Sequence, residues 1–211
     1  MKYLNCLLDV ISPSFCSFCG SVIAYESSGV CKKCADKLLP YETCAEDSNP
    51  PDLKKIYYDK IYSLWKYNLY SRTLVSEFKN KNNLSISEYP AKEFARIIKE
   101  EKLNIDILTC IPISRAKLRK RGYNQAEYLS KKISINTGIP YDQTLKSLFA
   151  GGEQKKLDYN DRFFNTLGKF ILNADVRGRS IGLIDDVMTT GATINEASRI
   201  LKQGGALKIS V

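Results

Sequence analysis

The chain has 211 residues, 44% of them hydrophobic and 26% charged, with a net charge of +9. That is enough for one core domain of about 100–150 residues plus a small module, with a globular rather than a low-complexity composition. The absence of histidine excludes Ser–His and Cys–His nucleophilic catalysis, histidine bases and histidine metal ligands.

The N-terminal stretch "MKYLNCLLDVISPS" carries one lysine and a short apolar patch broken by Asp9, which is not the pattern of a signal peptide. No apolar run reaches the roughly 18 residues of a membrane span. The expectation is a cytoplasmic chain with no stable membrane insertion, in which thiols stay reduced or metal-bound. Residues 1–50 read as a separate module. Six of the seven cysteines (Cys6, Cys16, Cys19, Cys31, Cys34 and Cys44) lie there, and the segment closes on the turn-rich "AEDSNPPD". Cys16-Ser-Phe-Cys19 and Cys31-Lys-Lys-Cys34 are two C-x2-C pairs separated by eleven residues. Each pair can grip one ion from a tight turn, and together they complete a tetrahedral site. The expected metal is structural Zn²⁺ on Cys16, Cys19, Cys31 and Cys34. Disulfides or iron are the alternatives, and Cys6 or Cys44 can replace one ligand. Gly20 stands where such a knuckle turn calls for a positive φ.

Residues 51–211 alternate strand and helix patterns. "IYSLWKY" (61–67) is β-branched and aromatic and predicts a strand. "SRTLVSEFKNK" (71–81) and "AKEFARIIKEEK" (91–102) have helical spacing. "IDILTCIPI" (105–113) is an apolar run of strand length. "NQAEYLSKKIS" (124–134) predicts a helix capped by Asn124, and "KFIL" (169–172) a short strand. "SIGLID" (180–185) predicts a buried strand, "INEASRILKQ" (194–203) a helix stopped by Gly204 and Gly205, and "ALKISV" (206–211) a further strand. All-apolar strands alternating with helices imply an α/β fold with a parallel sheet. The aromatics Tyr57, Tyr58, Tyr62, Trp65, Tyr67 and Tyr70 read as core and sheet packing, with base stacking as the alternative.

Ligands of open parallel sheets bind beyond the carboxyl ends of the strands. Asp185 and Asp186 end such a strand, and "VMTTGAT" leads into a helix. Thr193 with Glu196 fits a capping box, which puts the helix start at Ile194. Free amides at a helix start bind phosphate, Gly191 lets the backbone come close, and Thr189, Thr190 and Thr193 add hydroxyls. The two carboxylates accept hydrogen bonds from a vicinal diol. Diol and phosphate a few ångströms apart describe a ribose 5-phosphate; a Mg²⁺-binding acid pair or a plain strand–turn–helix are the competing readings. After the strand at 105–113, "SRAKLRKRGYNQA" (114–126) reads as a basic loop. Arg115, Lys117, Arg119, Lys120 and Arg121 are five cations in seven residues, suited to pyrophosphate with Mg²⁺, to nucleic acid, or to mere solvation.

"GLIDDVMTTGAT" resembles the signature of type I phosphoribosyltransferases, which bind 5-phosphoribosyl 1-pyrophosphate (PRPP). "RGYNQA" after "PIS", the cysteine module, and Gln154, Leu157, Arg162, Asn165, Gly168 and Phe170 are similar to the ComF family (competence protein F, amidophosphoribosyltransferase-like). The resemblance runs from Cys16 to the C-terminus. It implies a type I phosphoribosyltransferase (Rossmann-like) fold with an N-terminal zinc-binding module, and PRPP binding with Mg²⁺. Asp185, Asp186, Arg121 and Arg162 are then the candidate catalytic residues. Thr189, Thr190, Gly191, Ala192, Thr193, Ser114, Arg115 and Lys117 are the candidate PRPP-binding residues. It further implies a role in natural transformation, with single-stranded DNA and a DNA-uptake helicase as partners at the inner face of the membrane. The alternative is a transferase of nucleobase or nucleotide metabolism with no DNA role.

Overall fold

The computed structural model describes residues 13–16, 18–23, 29–38, 53, 55–66, 68–80, 84–148 and 168–211. Its centre is a parallel sheet made from the apolar runs of the sequence. Strands β3 (Ile107–Cys110), β6 (Ser180–Ile184) and β7 (Lys208–Ser210) lie in the order β3-β6-β7. The register pairs Ile107 with Ile181 and Cys110 with Ile184, then Ser180 with Lys208 and Gly182 with Ser210. Both edges carry further extended chain: Leu108 bridges Tyr141 on one side, and Ser210 bridges Lys60 on the other. Every residue of β3 and β6 is buried, as expected where helices cover both faces of a sheet.

Side chains alternate across β6. Ile181 and Leu183 point into a cluster with Ile107, Ile209 and the residues Ile194, Ala197 and Leu201 of α6 (Ala192–Gln203). Ile184 faces the opposite cluster, with Leu108, Ala91 of α3 (Glu88–Glu100), and Leu129 and Ile133 of α5 (Gln125–Thr137). Burying each such side chain contributes about 1.5–3 kcal/mol before entropy is counted. Gly182 is required on that second face, since a Cβ there would lie 2.7 Å from Leu108 Cδ2. A short antiparallel pair, β4 (Leu145–Ser147) with β5 (Phe170–Leu172), flanks the sheet.

A third cluster joins the cysteine segment to the rest. There β1 (Ser14–Phe15), β2 (Val22–Ile23) and α1 (Lys32–Ala35) form a small hairpin-and-helix unit. Cys16, Ile23, Val30, Cys34 and Leu38 pack with Leu74 and Phe78 of α2 (Leu69–Asn80) and with Ile86. Among the described residues no helix is long and apolar enough to cross a membrane.

Two expectations are corrected. Residues 61–66 do not form a regular strand; the Lys60 and Tyr62 N–H groups donate to the Ile209 and Val211 carbonyls. β propensity describes fit to a pleated, half-buried surface and does not by itself make a ladder. The basic segment after β3 is not a loop but a seven-residue helix, α4 (Arg115–Arg121). Ser114 caps it, its Oγ accepting from the Lys117 N–H at 3.3 Å, and Gly122 ends it at φ 81°, so local capping chemistry outweighs the mutual repulsion of the cations.

Candidate functional site

β6 delivers Asp185 and Asp186 to the carboxyl edge of the sheet. The Asp186 N–H donates to Asp185 Oδ1 at 2.8 Å. Burial pushes the Asp185 carboxyl up to about 8, the neighbouring Asp186 charge adds to this, and Lys79 opposes it. A carboxyl raised in the fold holds its proton more tightly than in the unfolded chain. It therefore costs no stability below its ordinary range near pH 4, and an increasing amount as pH rises to about 8. Asp185→Asn is expected to raise the melting temperature by about 3–6 °C at pH 8–9, an effect of about 1–2 kcal/mol, and to leave it unchanged near pH 4. Differential scanning calorimetry at the two pH values checks both halves.

The turn that follows holds Thr189, Thr190, Gly191, Ala192 and Thr193. The expected capping box does not form. Helix α6 starts at Ala192, two residues before Ile194, because Gly191 takes the left-handed conformation at φ 68° and enters the helix there. Thr193 thus falls inside the first turn. Glu196, 4% exposed, instead accepts from Arg199 Nε at 2.7 Å and from the Gly168 N–H at 2.8 Å. Burial opposes ionisation of Glu196, and these donors outweigh it, so its carboxyl is held below the usual range. No side chain caps α6 in the ordinary way; Thr190 Oγ1 approaches the Ala192 N–H at 3.4 Å. The helix start keeps amides available to an anion.

β3 and β6 are parallel neighbours, and the Ile111 N–H donates to the Ile184 carbonyl at 3.0 Å. The segment carrying Ser114, Arg115, Lys117 and Arg121 therefore leaves the sheet from the same edge as the acid pair. Arg115, Lys117, Arg119 and Lys120 are exposed. Arg121 is half-buried, and its Nη1 donates to Gln125 Oε1 at 3.2 Å. Asn124 caps α5 as predicted and also ties the strand end down, its Nδ2 donating to the Ile111 carbonyl at 3.0 Å. Arg162 lies outside the described residues, as do Gln154, Leu157 and Asn165.

The four thiols converge. The Sγ atoms of Cys16, Cys19, Cys31 and Cys34 all lie within 4.8 Å of one another, and Cys19 and Cys31 are 3.7 Å apart. Metal–sulfur bonds of about 2.3 Å in a tetrahedron put sulfurs about 3.8 Å apart. Gly20 takes φ 70°, as the knuckle required, its N–H donating to the Cys16 carbonyl, and the Cys31 N–H donates to Cys16 Sγ at 3.3 Å. The donor set fits a metal ion such as zinc. Cys6 and Cys44 lie outside the described residues.

No protein-family model matches the chain. Competence protein F of Haemophilus influenzae is 26% identical over 216 residues, 98% of this chain and 86% of that protein. DNA utilization protein YhgH of Salmonella typhi is 25% identical over 220 residues, 94% and 95% of the two chains. Competence protein ComFC of Streptococcus pneumoniae is 29% identical over 146 residues, 68% and 62% of the two. The chain is a homologue of the ComF proteins. Two solved structures overlap it partly. Glutamine phosphoribosylpyrophosphate amidotransferase from B. subtilis has a TM-score of 0.44 at 16% identity, over 64% of this chain and 29% of that one. Purine phosphoribosyltransferase from Pyrococcus horikoshii has a TM-score of 0.35 at 20% identity, over 56% and 65%. The ComF homologue thus spans less than a third of the amidotransferase's length.

Three features of this ComF homologue escaped the reading of the sequence. A cavity of about 310 Å³ opens beside the acid pair, lined by Trp65, Leu74, Phe78 and Phe94 together with Asp185 and Asp186. Lys79 Nζ lies 2.7 Å from Asp186 Oδ2. The Lys169 ammonium is pulled below its ordinary range, first by burial and then by the charge of Lys117. None of these has a local signal. Each depends on segments far apart in the chain meeting at one sheet edge.

Proposed function

We propose that this chain is a phosphoribosyltransferase-type protein that binds PRPP with Mg²⁺ and acts in the handling of incoming single-stranded DNA during transformation. The observation that carries the reading is the carboxyl edge of the sheet. Twin carboxylates and an amide-rich threonine–glycine turn leave β6 side by side with the cationic α4 leaving β3. Asp185 and Asp186 accept from the ribose hydroxyls, while Thr189, Thr190, Gly191, Ala192 and Thr193 take the 5-phosphate. Ser114, Arg115, Lys117 and Arg121, with Lys169 and Mg²⁺, take the pyrophosphate. The ComF resemblance adds Arg162 to the candidate catalytic residues. Residues 1–50 form a zinc-stapled module and residues 51–211 the phosphoribosyltransferase-type domain. Four thiolates leave no open metal position for water, so this zinc is structural. The names of the relatives, competence protein and DNA utilization protein, support the DNA role; a cytoplasmic place near an uptake channel and a helicase partner are part of the same proposal.

Isothermal titration calorimetry with PRPP and Mg²⁺ tests the central claim. Arg121→Met is expected to weaken PRPP about 10-fold, the loss of one charge-assisted contact of about 1.5 kcal/mol; unchanged affinity removes Arg121 from the site. Steep salt dependence of oligonucleotide affinity supports phosphate contacts, and a flat one removes them.

The cavity favours a second reading, a transferase that moves phosphoribose onto an acceptor. As the C1–oxygen bond to pyrophosphate loosens, positive charge builds on the sugar ring. A held ribose, a neutralised leaving group and a sheltered acceptor are what that step needs. Pyrophosphate release from PRPP with a panel of nucleobases separates the two readings.

A further inference from the structure

Lys79 occupies the last turn of α2. The dipole at a helix C-terminus accounts for a lysine in such a turn but not for its partner. Its ammonium sits 2.7 Å from Asp186 Oδ2, with the two side chains 26% and 20% exposed. Both side chains are largely buried, so water and salt screen this pair less than a surface one and it fixes the position of the carboxylate. The helix that carries it presents Ser71, Leu74, Val75 and Phe78 to the cavity beside the acids. The Phe78 carbonyl accepts from the Tyr123 hydroxyl, which lies between α4 and α5. So the end of α2 is fastened on one side to the acid pair and on the other to the junction that follows the cationic helix. Adjacent carboxylates in a partly desolvated turn repel each other and repel an incoming phosphate. An ammonium on one of them offsets both repulsions. A carboxylate has about four acceptor positions, and Lys79 uses one, leaving the others for hydroxyl donors.

Building on the sugar-phosphate reading above, we infer that Lys79 is a positioning residue of the site, holding the Asp186 carboxylate in place for a ribose diol and lowering the repulsion between the acid pair and the phosphate. Calorimetry of PRPP with Mg²⁺ on the full chain tests it, using wild type, Lys79→Met, Lys79→Arg, Asp186→Asn and the double variant Lys79→Met/Asp186→Asn. Lys79→Met is expected to weaken PRPP about 10-fold, and Lys79→Arg, which keeps the charge and the reach, by less than about 3-fold. On the Asp186→Asn background, Lys79→Met should cost less than about 2-fold, because nothing is left to position. Equal affinity of Lys79→Met and wild type overturns the inference. So does an undiminished loss on the Asp186→Asn background, which would make Lys79 a direct phosphate contact or a support of the fold. A wild-type chain that takes up no PRPP overturns the sugar-phosphate reading itself, and Lys79's role with it.

Discussion

PRPP affinity is expected to fall by about 100-fold or more in Asp185→Asn/Asp186→Asn, while the protein becomes more stable at pH 8. The two effects have one cause. Asp185 is a carboxyl that burial and a like-charged neighbour hold in its protonated form against its ordinary tendency. Carboxyls perturbed in this way are enriched at functional sites. At pH 8, where Asp185 titrates, binding draws it into its ionised form; hydrogen bonds from ribose hydroxyls to the two carboxylates contribute about 1.5–3 kcal/mol each, and losing them gives a drop of this size. The opposite signs make the result hard to imitate. A variant that merely misfolds loses binding and melting temperature together, whereas this one should lose binding and gain stability. Calorimetric titration and thermal melts on the same preparation decide it, and retained affinity would show that the pair does not hold the sugar.

The second large effect is expected at the thiols. Cys16→Ser should release the bound metal and lower the melting temperature by more than about 10 °C, since structural zinc carries much of the folding free energy of so small a unit. Cys16 and Cys34 are also core residues, packed with Leu74 and Phe78 of α2, so the loss should extend past the module into the helix that roofs the cavity. Metal content per chain and hydrogen exchange along α2 read the two consequences separately. A Cys16→Ser protein that keeps one equivalent of metal and melts like the wild type would show that the metal is held by another set of thiols.

Much of this architecture is legible in the chain because it rests on local patterns. The strands β3 and β6 come from largely apolar runs buried along their whole length. Asn124 caps α5 because the cap needs only a side-chain oxygen and an amide two residues on. The C-x2-C pairs converge because their spacing is itself a geometry. The failures share the opposite property. Thr193 and Glu196 have the spacing of a capping box, but Gly191 caps the helix, which starts at Ala192, two residues earlier than Ile194, and Glu196 is taken by Arg199 and by the Gly168 amide, which is remote in the chain. The run at 61–67 has strand propensity, but its described residues, 61–66, form no regular strand. Lys79 looks like an ordinary solvated lysine until folding brings α2 over the sheet. The sequence names the acids and the turn, and the three-dimensional meeting of α2, α4 and β6 supplies the rest of the site.

The chain has a single tryptophan, and its position is useful. Trp65 stacks on Tyr89 with ring centroids 5.6 Å apart, packs against the cluster that contains Cys16 and Cys34, and lines the cavity beside Asp185. Its indole emission is therefore an intrinsic optical reporter at the junction of both regions. Filling of the cavity should quench or blue-shift that emission, and demetallation should red-shift it as water reaches the ring. A cuvette titration can thus follow both events without any added dye.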